Sequence, residues 1–300
     1  MLGVSIIVCS MRPELCKQML VSIEKTIGID HEAIVFDNRE KGLGICQVYN
    51  YCASKANFPY LCFIHEDVIM VTSDWGLHMV EFAEKTPNCG IIGFAGGKIA
   101  KKNFTGWEWG AKGRYRYYDP DPTGDISFNT SIGDLSLKYN NPDNEEFSKV
   151  VVLDGLFLFC KRNIWEENIF DENKMGNFYL YDADFSLRVS QKNINYVCLI
   201  ADIYHFSRGR CTKAYFEYVR IFQEKWKHTL PLSIDNHEIL LFEELINARH
   251  LFVASIQNGF TYKQSIMHLI EINGLRFFLF FCSMVPIWLI GKLLKKIAKV

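Results

Sequence analysis

Short apolar segments alternate with segments of helical periodicity along the first hundred residues. Four of the apolar segments predict strands buried on both faces, namely VSIIVCS (4–10), AIVF (33–36), YLCFI (60–64) and GIIGFAG (90–96). Between them, apolar residues recur three or four positions apart, and Pro13 suits the first turn of a helix. This alternation predicts an α/β fold with a mostly parallel, Rossmann-like sheet, right-handed crossovers and flanking helices.

Polar residues stand where three of these strands end. They are Ser10, then Asp37 and Asn38, and then His65, Glu66 and Asp67 inside the apolar stretch YLCFIHEDVIM (60–70). In open α/β sheets, ligands bind beyond the carboxyl ends of the strands, so we expect these residues to share one site. Carboxylates flanked by buried chain need partners or a metal, and Mg²⁺ or Mn²⁺ would bring a diphosphate with it. A structural salt bridge is the alternative.

The second half of the chain changes character and then resumes regular patterns. Residues 101–149 are rich in Tyr, Asn, Asp and Gly without sustained periodicity, which predicts a long functional loop or lid. VVVLDGLFLFC (150–160) and INYVCLIA (194–201) predict further strands on either side of a helix near 182–191. A helical extension is expected at 211–273.

Composition narrows the classes of function. An apolar fraction of 49% supports a substantial core, and a formal charge of −1 gives no electrostatic case for a nucleic-acid partner. Among the ten cysteines there is no CxxC pair, and Cys62, Cys160 and Cys198 lie in apolar runs, as reduced thiols do. The N-terminus lacks the basic flank and apolar length of a signal peptide, so we expect a cytoplasmic protein.

The order of the motifs resembles the GT-A glycosyltransferases, and within them the family 2-like enzymes of bacterial surface-polysaccharide assembly. The matching segments are SIIVCS (5–10), VFDNR (35–39), IHEDV (64–68), VVLDGLFLFCKRNIW (151–165), YLYDADFSLRVSQKN (179–193) and YHFSRGR (204–210). The resemblance covers about residues 4–210 and implies a GT-A domain, here bounded at 1–210, a nucleotide-sugar donor and a divalent cation, Mn²⁺ or Mg²⁺. His65 replaces the first acid of the family's Asp-x-Asp signature, and Tyr181 replaces the Glu of its Glu-Asp-x-Asp-Leu segment.

The strand ends and the resemblance together predict a nucleotide-sugar site at Ser10, Arg12, Asp37, Asn38, His65, Glu66 and Asp67. Asp67 and His205 are the implied metal ligands. Displacing a diphosphate also needs a base for the acceptor hydroxyl, and a carboxylate at a helix start, Asp182, suits that role. The acceptor side is predicted at Asp154, Gly155, Trp107, Trp109 and Asp184. The alternatives are structural: a helix N-cap at Asp182, a hydrogen-bonded histidine at 205, a surface arginine at 12 and tryptophans that anchor the loop.

The C-terminal segment predicts membrane association. LRFFLFFCSMVPIWLIG (275–291) has 17 residues, includes Arg276 and is broken by Pro286, so it falls short of the about 20 residues of a transmembrane helix. The lysines that follow, at 292, 295, 296 and 299, suit the anionic headgroups of a cytoplasmic leaflet. We therefore expect residues 274–300 to form an interfacial or re-entrant tail that makes the protein peripheral or monotopic, with a buried C-terminal helix as the alternative.

Together these patterns predict an inverting, metal-assisted sugar transferase that uses a nucleotide-diphosphate donor and a glycan or lipid-linked acceptor at the inner face of the cytoplasmic membrane. A catalytically degenerate family member that serves as a membrane-bound assembly partner is the first alternative, because of His65 and Tyr181. A sugar-nucleotide nucleotidyltransferase is the second. It would need a glycine-rich, lysine-bearing phosphate loop after the first strand, and CSMRPELCK (9–17) contains no glycine.

Overall fold

The computed structural model describes residues 2–120, 135–206, 211–234 and 239–283. By its contacts the chain divides into two compact units. The first comprises residues 1–100, 106–210 and 232–237, and the second comprises 101–105, 211–231 and 238–300. Residues 207–210 of the matching segment YHFSRGR, residues 121–134 of the predicted loop and residues 284–300 of the predicted tail lie outside the described residues.

The first unit holds fifteen strands and five helices among its described residues. In chain order they are β1 (Val4–Ser10), α1 (Pro13–Thr26), β2 (His31–Asp37), α2 (Ile45–Ala53), β3 (Tyr60–Ile64), β4 (Val68–Met70), α3 (Trp75–Lys85), β5 (Cys89–Gly93), β6 (Ala95–Gly97), β7 (Ile99–Ala100), β8 (Gly113–Pro120), β9 (Leu135–Asn140), β10 (Phe147–Val150), β11 (Val152–Leu153), β12 (Phe157–Lys161), α4 (Arg162–Glu167), α5 (Tyr181–Val189), β13 (Ile194–Cys198), β14 (Ile203–His205) and β15 (Leu232–Ser233).

The main sheet has seven strands in the order β10-β13-β5-β12-β3-β1-β2. β1 runs parallel to β2 and β3, and β13 runs parallel to β5, whereas β12 lies antiparallel between β3 and β5. The predicted α/β fold is confirmed, with a mixed sheet. Nothing in the apolar pattern of β12 could give its direction, because a strand buried on both faces reads the same in either orientation.

Helices cover both faces of this sheet. α1 and α3 pack on one face through residues such as Met19 and Trp75, and α2 and α5 pack on the other through residues such as Tyr49 and Phe185. These four side chains are almost fully buried, which stabilises the fold by about 1.5–3 kcal/mol for each large apolar side chain. The sheet is therefore rigidly held, and the position of each strand end is fixed.

The strand register brings the predicted polar residues to one edge. Ser10 pairs with Asp37 at the carboxyl ends of β1 and β2, and Ile7 of β1 pairs with Phe63 near the end of β3. The antiparallel strand β12 begins at Phe157, opposite Ile64. The residues that precede β12 therefore join the same edge as those that follow β1 and β3.

A second sheet, of order β11-β6-β8-β14-β4 with β9 beside β8, corrects the expectation of a long loop without regular structure at 101–149. β8 and β9 form an antiparallel pair inside that segment. Polar and apolar residues do alternate in RYRY (114–117) and in LSLKYN (135–140), but both runs are short and lie in a segment rich in Asn, Asp and Gly. The arginines of β8 have acidic partners, since Arg114 binds Asp143, and Arg116 binds Asp202 at 2.7 Å. The residues before β8, including Trp107, still form a connection without strands or helices.

The second unit is helical. Its helices are α6 (Lys213–Trp226), α7 (Leu241–Gln257), α8 (Tyr262–Asn273) and a further helix at residues 275–283. Buried polar groups of these helices hold residues 101–105, and two of them are Glu244, which accepts a hydrogen bond from the Lys102 amide at 2.9 Å, and Gln223, which donates to the Phe104 carbonyl at 2.9 Å. Within the described ranges, no helix combines the length and the apolar character that a membrane crossing requires.

Candidate active site

The Glu66 carboxylate holds the chain that leaves β1. Its Oε2 atom accepts hydrogen bonds from Ser10 Oγ at 2.7 Å, from the Met11 amide at 3.0 Å and from the Arg12 amide at 2.8 Å. The Arg12 side chain donates to Oε1 at 3.2 Å. Glu66 is buried, and these four bonds use most of its acceptor capacity. Its observed contacts are therefore structural: they fix Ser10 and Arg12 at the edge of the sheet.

Asp67 meets Arg12 and His205. Arg12 Nη2 donates to Asp67 Oδ2 at 2.9 Å, and His205 Nε2 lies 3.8 Å from Asp67 Oδ1. The local fold explains this meeting, because β14 pairs with β4 so that His205 lies opposite Val68, and the Phe206 amide donates to the Asp67 carbonyl. The structure thus brings together two residues that are 138 positions apart and were both predicted as metal ligands.

His65 completes a group that could hold a metal ion. Ligand atoms of His65, Asp67 and His205 all lie within 4.8 Å of one another. Desolvation by burial, opposed by the nearby Asp67 carboxylate, lowers the pKa of His65, and a neutral imidazole is the form that binds metals. The donor set of two imidazoles and one carboxylate therefore fits a divalent cation.

Tyr181 orients the His65 ring. The Tyr181 hydroxyl donates to the Gly155 carbonyl oxygen at 3.2 Å, and His65 Nε2 lies 2.8 Å from the same hydroxyl. A hydroxyl has only one proton to donate. Because Tyr181 donates its proton to the Gly155 carbonyl, His65 Nε2 is the donor in the hydrogen bond between His65 and Tyr181. His65 Nδ1 then keeps its lone pair. An imidazole held through one nitrogen and presenting the other is the arrangement found around metal-binding histidines.

Asp182 is linked to Tyr181 through hydrogen bonds to Gly155. Its Oδ2 atom accepts a hydrogen bond from the Gly155 amide at 2.8 Å, and Oδ1 accepts one from the Ala183 amide at 2.8 Å. Desolvation by burial and the neighbouring Asp154 carboxylate raise the pKa of Asp182 to about 7. Leu180 precedes the first residue of α5, so Asp182 is the second residue of the helix and not its N-cap. A carboxyl group with this pKa can take up a proton near neutral pH.

Asp154 and Gly155 form the bend before β12. Asp154 Oδ2 accepts a hydrogen bond from the Trp107 indole at 2.6 Å, and Oδ1 accepts one from the Leu156 amide at 2.9 Å. A Cβ atom on Gly155 would lie 2.2 Å from the Tyr181 hydroxyl oxygen, so only glycine fits beside Tyr181. Contacts therefore link Trp107, Asp154 and Gly155, three of the five residues predicted for the acceptor side, to Asp182, the predicted base.

Other predicted site residues lie apart from this group or have local partners. Asp184 is buried, and its Oδ2 atom accepts a hydrogen bond from Arg188 at 3.2 Å. The Arg39 guanidinium lowers the pKa of Asp37, which is exposed at the end of β2, to about 2. Asn38 is buried and bonds both backbone polar groups of Leu43, which closes a turn. Trp109 is 44% exposed.

Sequence reasoning missed one aromatic residue at the site. The Phe178 ring stacks on the His65 imidazole with 5.5 Å between centroids, and 54% of Phe178 is exposed. It lies in the connection before α5, where neither helical nor strand periodicity singles out a residue. Its position directly before the YLYD segment was the only available signal.

A family model described as "Glycosyltransferase like family" matches residues 5–226. The chain belongs to this family. The protein is thus a glycosyltransferase, the class that its motifs predicted. The match includes Ser10 at the end of β1, Asp67 between β3 and β4, Asp182 in α5 and His205 at the end of β14. A search of curated protein sequences found no match to this glycosyltransferase.

Solved structures resemble the glycosyltransferase in fold at low identity. TarS 1–349 from S. aureus, in complex with UDP, is 13% identical, with a TM-score of 0.50 over 92% of this chain and 80% of that one. GalNAc-T7 with UDP, GalNAc and Mn²⁺ is 11% identical, with a TM-score of 0.49 over 91% of this chain and 55% of that one, so this chain spans about half of GalNAc-T7. PcManGT from Pyrobaculum calidifontis, a mannosyltransferase in complex with GDP-Man and Mn²⁺, is 8% identical, with a TM-score of 0.43 over 94% and 86% of the two chains.

The role of Glu66 gives a first prediction. In Glu66→Gln an NH2 group replaces one carboxylate oxygen, and this group cannot accept hydrogen bonds from Arg12 or from the backbone. We expect the free energy of unfolding, measured by urea denaturation, to fall by about 1.5–3 kcal/mol, the range for hydrogen bonds to charged groups. The exposed Glu40 provides the matched control, since Glu40→Gln should change stability by less than about 0.5 kcal/mol. Equal stability of the two variants would contradict the anchoring role of Glu66.

Proposed function

We propose that the protein transfers a sugar, with inversion, from a nucleoside-diphosphate donor to a hydroxyl group of a glycan or lipid-linked acceptor. The observation that carries the proposal is a continuous set of contacts from a possible cation site to a possible base. His65 belongs to the group with Asp67 and His205, and it contacts Tyr181, which bonds Gly155, whose amide in turn bonds Asp182.

The edge of the sheet near β1 suits the donor. Ser10 and Arg12 are fixed there by Glu66, and the Asp37 carboxylate is exposed at the neighbouring strand end, where it could accept hydrogen bonds from ribose hydroxyls. The complex of TarS with UDP, whose fold this chain resembles, supports a uridine nucleotide as the first candidate. The Arg12 guanidinium already contacts Asp67 and adds positive charge where a diphosphate would lie.

His65, Asp67 and His205 would hold the cation. Two nitrogen donors and one carboxylate favour Mn²⁺ over Mg²⁺, because Mg²⁺ prefers an octahedron of oxygen ligands. A cation bound there supplies neutralisation of the charge that develops on the leaving diphosphate. The chain's own part is to keep the His65 ring fixed through Tyr181 and to keep Asp67 in place through Arg12.

Asp182 is the proposed general base. The acceptor hydroxyl oxygen attacks the anomeric carbon, the bond from that carbon to the diphosphate oxygen breaks, and the hydroxyl proton moves to Asp182. A single displacement inverts the anomeric configuration. Asp154 lies near Asp182 and accepts a hydrogen bond from the Trp107 indole, and the indole face and the exposed ring of Phe178 are suited to contact sugars.

We further propose that the protein acts at the cytoplasmic membrane face as a peripheral protein. The support is the C-terminal sequence, in which an apolar stretch from residue 275 precedes lysines at 292, 295, 296 and 299. A lipid-linked acceptor would give such a tail a purpose, because the acceptor would be confined to the same surface.

A catalytically degenerate assembly partner is the second candidate function. The replacement of acidic residues by His65 and Tyr181 favours it, since both positions are acidic in the family pattern that the chain resembles. The first of the following experiments separates the two candidates.

Nucleotide binding should depend on Mn²⁺. In a thermal-shift panel of UDP, GDP, CMP and TDP, at least one nucleotide with Mn²⁺ should raise Tm by several degrees, because a ligand at a hundred times its Kd adds about 2.7 kcal/mol of stability. Asp67→Asn should remove the Mn²⁺-dependent part of the shift, whereas Asp30→Asn, at an exposed position, should keep it. Absence of any shift in the wild type would favour the assembly partner.

Asp182→Asn should slow sugar transfer without weakening the binding of the donor nucleotide. We expect kcat to fall by about 10²–10⁴-fold, the usual contribution of a general base. The thermal shift caused by the donor nucleotide with Mn²⁺ should stay as in the wild type. Turnover retained at the wild-type rate would remove Asp182 from the proposed mechanism.

The pH profile should report the pair formed by Asp182 and Asp154. Because the deprotonated form of Asp182 is the active one and its pKa is about 7, kcat/KM should fall as the pH drops below about 7. In Asp154→Asn the like charge that helps to raise this pKa is gone, so the acid limb should move to lower pH. An unchanged limb would show that another group controls it.

A further inference from the structure

The outward face of α7 is apolar where a surface helix normally carries polar residues. Phe242, Ile246 and Val253 are 55%, 46% and 41% exposed. Spacings of four and seven residues place them on one side of the helix. The buried residues of the same helix include the polar Glu244 and Asn247. The usual distribution of polar and apolar residues is therefore partly reversed.

α7 cannot rotate about its axis so that its exposed apolar side becomes buried. Glu244 accepts hydrogen bonds from the Lys102 amide at 2.9 Å and from Asn103 Nδ2 at 3.1 Å, and Asn103 Nδ2 also donates to Asn273 of α8 at 3.0 Å. Turning α7 would leave this buried carboxylate without partners, which costs several kcal/mol. The exposed apolar stripe is thus a fixed feature of the folded second unit.

Exposed apolar residues also occur on the last described helix of the same unit, which packs against α7. The buried ring of Phe281, in the helix at 275–283, lies 6.0 Å from the Phe252 ring of α7. On this helix Leu279 is 61% exposed and Phe280 is 44% exposed. We call Phe242, Ile246, Val253, Leu279 and Phe280 the outer apolar surface. Clusters of exposed apolar residues of this kind mark sites of interaction.

The sequence of the adjoining segment indicates what binds the outer apolar surface. Residues 284–300 read MVPIWLIGKLLKKIAKV and combine apolar side chains with four lysines. Apolar groups next to clustered lysines match a bilayer that contains anionic lipid, since the apolar groups enter the acyl boundary and the lysines meet the headgroups. Neither a second copy of this chain nor an apolar partner would account for the lysines.

We propose that the outer apolar surface is a docking face for an anionic lipid bilayer. This inference rests on the proposed function and deepens it, because it extends membrane contact from the C-terminal tail to the folded helices of the second unit. The tail alone would leave the exposed stripe of α7 unexplained. Two contacts, one from the tail and one from α7, also give firmer attachment than one.

The test compares full-length variants in flotation with vesicles. The probe is a vesicle of equal parts phosphatidylcholine and phosphatidylglycerol, with pure phosphatidylcholine for comparison. The double variant Ile246→Asp/Val253→Asp places two charges on the surface, and we expect its partition to fall at least about tenfold. The control is Ile221→Asp on α6, an isoleucine 39% exposed on a different helix, which should bind as the wild type does. Far-ultraviolet circular dichroism checks that each variant is folded.

Several results would overturn the proposal. Wild-type binding that is equal on pure phosphatidylcholine, or a double variant that binds as well as the control, would do so. So would a wild-type dimer in sedimentation equilibrium that the double variant dissociates while vesicle binding persists, since the face would then belong to a second copy. The nucleotide panel, run on the same proteins, separates this proposal from the enzymatic one. If vesicle binding fails while the nucleotide-induced thermal shifts remain, the docking proposal is wrong and the enzymatic proposal is unaffected.

Discussion

The buried Glu66 carboxylate is the interaction on which the candidate site depends. It receives hydrogen bonds from the residues that follow β1, so it ties the ends of β1 and β3 together. A carboxylate delivered by an apolar strand must find such partners, because an unpaired buried charge is costly. The tie places Arg12 against Asp67, and Asp67 faces His205 across the pairing of β4 and β14. One local requirement therefore organises chemistry from three distant segments.

Apolar runs made the strands of the sheet predictable, and strand ends made its edge predictable. The proximity of Asp67 and His205 followed from motif order. The hydrogen-bond partners of single carboxylates could not be predicted, because the sequence does not show in which direction a side chain points. Glu66 faces the backbone after β1, and Asp184 faces Arg188. β8 and β9 also escaped prediction, because their alternating runs, RYRY (114–117) and LSLKYN (135–140), are short and lie in a segment rich in Asn, Asp and Gly.

The proposed acceptor side illustrates how packing adjusts chemistry that sequence only suggests. Asp154 lies at a bend that only glycine at 155 allows, and Trp107 fixes its carboxylate. The proximity of that carboxylate, together with desolvation, raises the pKa of Asp182 towards neutrality. Trp107 in turn follows residues 101–105, which the helices of the second unit hold. A predicted loop thus has a fixed beginning, which sequence periodicity could not reveal.

The two departures from the family pattern contact each other. His65 stands where the signature has its first acid, Tyr181 stands where a Glu is expected, and the His65 ring nitrogen lies 2.8 Å from the Tyr181 hydroxyl. Loss of function by drift would leave a buried polar side chain without a partner, at a cost of about 1–3 kcal/mol. Here the histidine has a partner that fixes its ring, and one of its ring nitrogens lies within 4.8 Å of ligand atoms of Asp67 and His205. The replacements act as one unit, which argues for an altered metal site in an active enzyme over a degenerate one.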